Sequence, residues 1–134
     1  MTVILPALGN GKVQCAAVDV WEGEPDINLS LLEKAYIATP HIAGYSAEGK
    51  INATAMVLNE FARNIKYVGD VPVLRLADPE EPVVRAADEQ EALLMIYSPL
   101  ADTMALKTAP GDFEALRNNY RLRREPSAYK IDII

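Results

Sequence analysis

Apolar positions follow two different periods along this chain, and the change falls near residue 46. Val13 to Val20 is almost continuously apolar, interrupted only by Gln14 and Asp19. That pattern predicts a strand covered on both faces, as in a parallel sheet. The run leads through Trp21 into an acidic turn, Glu22-Gly23-Glu24-Pro25. Asn28 or Asp26 is placed to cap a short helix over Leu29 to Lys34. Tyr36 to Ala38 predicts a second strand, so the segment reads as a βαβ-like unit. It ends at Thr39-Pro40-His41-Ile42-Ala43-Gly44-Tyr45-Ser46. In an open parallel sheet, loops at the carboxyl ends of the strands gather where ligands bind.

Beyond Ser46, the residues Ile51, Ala55, Leu58, Ala62 and Ile65 recur at steps of four and three, which is one helix face. Ser46 is a good N-cap, Glu48 suits the first turn, and Arg63 and Lys66 suit the last. This pattern predicts a helix ending near Gly69. Residues 69 to 92 carry three of the nine prolines and seven acidic side chains, a composition that predicts an extended connector. Leu93 to Tyr97 predicts a strand. Ser98-Pro99 opens a helix through Lys107, with proline at its first position. A second short helix is predicted over Phe113 to Arg117, and a strand over Ser127 to Ile134. At the other end, residues 3 to 9 read as the end of a helix, with Gly9-Asn10-Gly11 as its C-cap and Lys12 beside it. A helix already closing so near Met1 suggests that the chain starts inside a larger architecture.

The length of 134 residues and an apolar content of 50% suit one globular domain or two small pieces. A net charge of −6 argues against a nucleic-acid partner, which needs a basic surface. No apolar run has the roughly 20 residues of a membrane helix, and the N-terminal residues make a poor signal peptide. The single cysteine, Cys15, lies inside the first apolar run and is expected to be a buried core thiol. These features suit a reducing, cytoplasmic setting.

Candidate chemistry concentrates between Asp19 and Tyr45. The one histidine, His41, sits on a constrained loop at a strand end, where it is either an acid–base group or a loop-packing side chain. Glu24, before a proline at the end of the neighbouring strand, is either its hydrogen-bonded partner or, like Glu22, a solvated turn residue. Asp19, closing an apolar strand, needs donors from backbone, side chain or ligand. Gly44 permits close backbone approach, and Tyr45 brings a phenol that is as suited to packing as to binding. One histidine and one cysteine leave no ligand set for a metal. There is no glycine-rich GxGxxG segment. Arg117, Arg121, Arg123 and Arg124 read as an exposed or interfacial charged face rather than a phosphate site.

Taken together, AAVDVWEGEP, ATPHIAGYS and the tail FEALRNNYRLRREPSAYKI resemble the NAD-dependent D-2-hydroxyacid dehydrogenases. Within that family they are most similar to the erythronate-4-phosphate dehydrogenases of pyridoxal phosphate biosynthesis. The resemblance implies that His41 is the proton donor and acceptor on the substrate hydroxyl, with Glu24 orienting it. It implies that Asp19 and Gly44 meet NAD and that Tyr45 touches a phosphorylated 2-hydroxy acid, 4-phospho-D-erythronate. It also implies an α/β fold, the C-terminal remnant of a doubly wound, Rossmann-type parallel sheet plus a small α+β dimerisation domain.

The corresponding division is residues 1–45 as the end of an NAD-binding domain, 46–68 as a return helix, 69–92 as a linker and 93–134 as the dimerisation domain of a homodimer. The family's glycine-rich loop and catalytic arginine would lie upstream, so a fragment inactive alone is the expectation. The alternative is a non-catalytic dimerisation or interaction module derived from that enzyme.

Overall fold

The computed structural model describes residues 3–134. It is a mixed α/β structure whose contacts fall into two compact units, each assembled from two stretches of chain. One takes the chain through Ala43 together with Ser98–Arg121; the other takes Gly44–Tyr97 with Leu122–Ile134. Residues 93–134, which read as one α+β piece, are thus divided between the two.

In the first unit, helix α1 (Ile4–Gly9) precedes strand β1 (Ala17–Val18), helix α2 (Leu29–Lys34) and strand β2 (Ile37–Ala38). The two strands are parallel, Ala17 opposite Ile37 and Val18 opposite Ala38. This is the predicted βαβ-like arrangement, with much shorter strands. Asn28 caps α2 by accepting from the Leu31 amide at 3.0 Å. Helices α5 (Pro99–Thr108) and α6 (Phe113–Asn118) complete the unit. Ser98 caps α5 and Pro99 occupies its first turn, as predicted. Thr103 on α5 accepts from the Ala38 amide at 3.0 Å, and Lys107 donates to the Ala35 carbonyl at 2.6 Å. The core is Val18, Trp21, Ile27, Leu31, Leu32, Ala35, Ala38, Leu106 and Phe113. A large apolar side chain buried there contributes about 1.5–3 kcal/mol. Together they fix where β1 and β2 end.

The reading of Cys15 as a core thiol is corrected: Cys15 is exposed, and Val13 and Val20 are 37% and 53% exposed. An apolar run is covered on both faces only when further strands and helices flank it. Among the described residues β1 has a single strand neighbour, so most of the run remains at a surface.

In the second unit, helix α3 (Ala47–Asn64) is capped by Ser46, whose hydroxyl accepts from the Gly49 amide at 2.9 Å. Glu48 and Arg63 lie in its first and last turns as predicted. The helix ends earlier than expected, and Lys66, outside it, takes a left-handed φ of 53°. Ile51, Ala55 and Ala62 of the predicted face are partly covered, but Ile65, which caps the helix end, is 55% exposed, and Val57 and Phe61, four residues apart, add a second apolar patch, 69% and 61% exposed.

The connector reading holds only as far as residue 82. Strand β3 (Val83–Ala86) and helix α4 (Glu89–Ile96) follow. The Leu93–Tyr97 strand is therefore corrected to the end of a helix. A capping box starts that helix: Asp88 accepts from the Glu91 amide at 2.8 Å, and Glu91 accepts from the Ala87 amide at 2.7 Å. Strand β4 (Lys130–Ile133) occupies half of the predicted terminal strand, whose start is a short turn instead, and pairs with β3 in parallel, Val83 opposite Lys130 through Ala86 opposite Ile133. Among the described residues, no helix is long and apolar enough to cross a membrane.

Candidate active site

Strands β1 and β2 stop side by side, so the turns that follow them meet. Asp19 directly follows β1, and the Thr39-Pro40-His41 loop follows β2. The Asp19 carboxylate is the post to which that loop is tied. Its Oδ1 accepts from the Thr39 hydroxyl at 2.6 Å and from the Ile42 amide at 2.8 Å, while Oδ2 accepts from the Ala43 amide at 3.0 Å. The donors that a carboxylate at a strand end requires are thus supplied by the chain itself. Trp21 closes the arrangement, its indole N–H donating to the Thr39 carbonyl at 2.9 Å.

Pinned on both sides, the loop carries His41 in the left-handed region, φ 57°, a conformation uncommon for a residue with a side chain. The imidazole Nδ1 lies 2.8 Å from Glu24 Oε2. Glu24 Oε1 accepts from the Trp21 amide at 2.7 Å, so both carboxylate oxygens are committed. The His41 side chain is 36% exposed and that of Glu24 18%. Between the two readings of each residue, contact between them is what the structure shows.

The charge of Glu24 reflects competing influences. Burial is the largest and pushes its carboxyl upward. The Trp21 amide, the His41 hydrogen bond and charge, and the Arg117 charge together outweigh it, holding the carboxyl below its ordinary range. Glu24 is therefore an anion at neutral pH. A carboxylate accepts only, so the nitrogen facing it carries the proton. That leaves Nε2 of His41 as the nitrogen available to a reacting group.

Arg117 was not legible as part of this group. It lies on α6, with Nη1 4.0 Å from Glu24 Oε2. In the second unit, Arg123 stacks on the Tyr97 ring, and Arg124 donates to Glu48 at 2.5 Å and to the Ala77 carbonyl at 2.8 Å. Thr39 was also missed, although a threonine following a strand offers a hydroxyl where Asp19 needs one.

Gly44 and Tyr45 belong to the second unit. Gly44 has φ 77°, and a Cβ placed there would meet nothing within 4 Å, so backbone conformation is what calls for glycine. Tyr45 has Lys50 over its ring at 3.9 Å, a cation–π contact.

An imidazole–carboxylate pair at the carboxyl ends of parallel strands in an α/β protein is a candidate acid–base site. Sequence comparison gives the particular kinship. No family model matches the chain. Over 96% of its length it is 48% identical to a Bacteroides thetaiotaomicron protein named erythronate-4-phosphate dehydrogenase, of which it covers 36%. A Bacteroides fragilis protein of the same name is 50% identical over 97% of the chain, which covers 37% of it. One from Porphyromonas gingivalis is 37% identical over 96% of the chain and 36% of its own length. The chain is homologous to a C-terminal part of the erythronate-4-phosphate dehydrogenases. It spans a little over a third of the length of these relatives.

Proposed function

We propose that this chain carries the proton-transferring part of an NAD-dependent dehydrogenase that oxidises 4-phospho-D-erythronate. The observation that carries the reading is the 2.8 Å contact between His41 Nδ1 and Glu24 Oε2. With Nδ1 committed to the carboxylate, Nε2 takes the proton from the C2 hydroxyl as the carbinol is oxidised to a ketone. The imidazolium formed is stabilised by the Glu24 anion beside it. When NAD is bound it accepts the hydride from C2.

Asp19 and Gly44 are the residues assigned to NAD, and Asp19 suits its nicotinamide end. Asp19 Oδ1 accepts two donors and Oδ2 one. An ionised carboxylate has about four acceptor positions, so Oδ2 retains capacity for a carboxamide N–H. The space where a Gly44 side chain would stand is clear of protein atoms. Tyr45 is assigned to the phosphorylated substrate.

We place residues 1–45 in the last part of a Rossmann-type domain and the C-terminal portion in homodimerisation. The exposed apolar residues Val57 and Phe61 on α3 support a role in which this helix packs against further protein. A module kept only for assembly would have no use for the His41–Glu24 pair and its tied loop.

A chimera tests the reading. Residues of this chain replace the matching third of the Bacteroides fragilis relative, and NADH production from 4-phosphoerythronate is followed at 340 nm. Turnover is expected, with a loss of about 100-fold or more in kcat for His41→Asn. Turnover undiminished by that substitution overturns the assignment. The 134-residue chain by itself is expected to produce no NADH.

A further inference from the structure

Arg117 is distinguished by a buried donor without an acceptor. Its Nε is enclosed by protein and has no hydrogen-bond partner among the described residues, although the side chain as a whole is 37% exposed. An enclosed N–H left unpaired is costly, and such groups are rare enough in folded proteins to require a reason. A guanidinium on a short surface helix could avoid that cost by turning outward into water. This one does not.

Its placement supplies the reason. Arg117 lies one helical turn beyond Phe113, which is buried in the core and anchors α6, so the two share a face. That face turns the fork toward Glu24, with Nη1 4.0 Å from Oε2. Oε2 is the same oxygen that meets His41 Nδ1. The other oxygen is held by the Trp21 amide. Glu24 is therefore fixed from three directions: a backbone N–H, an imidazole and a fixed positive charge.

We propose that Arg117 is a positioning residue for the His41–Glu24 pair, holding the carboxylate turned toward Nδ1 so that His41 keeps its Nε2 outward. The inference deepens the proton-transfer reading and rests on it. Arg117 touches no reacting atom in this scheme; it acts through Glu24. At 4.0 Å the interaction is one of charge rather than of a paired fork, so lysine should replace arginine in large part.

The test uses the 134-residue chain and spectroscopic readouts. Because His41 is the single histidine, its imidazole nitrogens give one unambiguous pair of ¹⁵N resonances that report the tautomer. The Glu24 carboxyl is followed by ¹³C as pH is varied. In Arg117→Met the Glu24 midpoint is expected to move upward and the Nδ1–H tautomer to lose its dominance; Arg117→Lys should keep both near wild type. A folded Arg117→Met chain matching wild type in both readouts overturns the proposal.

Should that variant not fold, Glu24→Gln supplies the reciprocal measurement. The Arg117 Nε–H should exchange with water several-fold faster once its counter-charge is gone, and unchanged exchange is equally fatal. Neither readout depends on turnover, whereas the His41→Asn chimera does, so the positioning role and the proton-transfer reading can fail separately.

Discussion

Replacing Asp19 by alanine removes the acceptor shared by the Thr39 hydroxyl and the Ile42 and Ala43 amides. Hydrogen bonds to a charged group contribute about 1.5–3 kcal/mol each. The Ala43 bond is solvent-exposed and adds little. The two partly buried bonds share one oxygen and are not independent. The expected loss is thus about 2–4 kcal/mol, less than the simple sum of the pair. Asp19→Asn keeps one acceptor oxygen and should lose about half as much. The assay is urea unfolding followed by Trp21 emission. Trp21 is the single tryptophan, is 5% exposed and belongs to the same unit as Asp19, so the signal reports that unit. The expected result is a lower midpoint with an unchanged denaturant slope. The same variant should also detach His41 from Glu24, visible as altered imidazole ¹⁵N shifts. Stability within about 0.5 kcal/mol of wild type, the range of an ordinary surface substitution, would refute the view that Asp19 holds the loop.

Glu24 has its carboxyl lowered from an ordinary value of 4.5 by the balance of burial against the Trp21 amide, His41 and Arg117. Its stabilisation is therefore fully present above that value and is lost as pH falls through the lowered one; Glu24→Gln should flatten this acid limb in the Trp21 signal. Glu48, lowered despite burial by Arg124 and the Glu125 amide, should behave likewise in the second unit, read from amide exchange in α3. Gly49→Ala should destabilise α3 although alanine favours helix by about 1 kcal/mol, because the added Cβ would stand 2.7 Å from Ser46 Oγ and 3.1 Å from the Gly44 carbonyl. Amide exchange in α3 slower than wild type would contradict that.

The elements that could be read in advance are those specified by neighbours in sequence. Asn28, Ser46 and Ser98 each sit immediately before the helix they cap, and a cap acts within one turn. Glu24 and His41 were readable as candidates because each follows a strand end, although only folding could show that they touch. Cys15 was misread because burial of an apolar run depends on flanking layers, which its own residues do not encode. The run Leu93 to Tyr97 is too short for periodicity to separate strand from helix. The Asp88–Glu91 box was the local signal that would have decided it. Arg117 was invisible for a different reason: it reaches Glu24 across most of the chain's length, and nothing near it in sequence hints at that neighbour.

The interleaving of the two units bears on how the molecule can be made. Domains generally fold as they emerge from the ribosome, N-terminal first. Here the first unit lacks α5 and α6 until synthesis has passed Arg121, and the second lacks β4 until synthesis has passed Ile133. Neither can reach its full set of contacts before those points, and both close over long loops whose entropy must be met before the contacts return it. No single cut separates the chain into two complete units. Any attempt to express one alone must join its two stretches by a new linker.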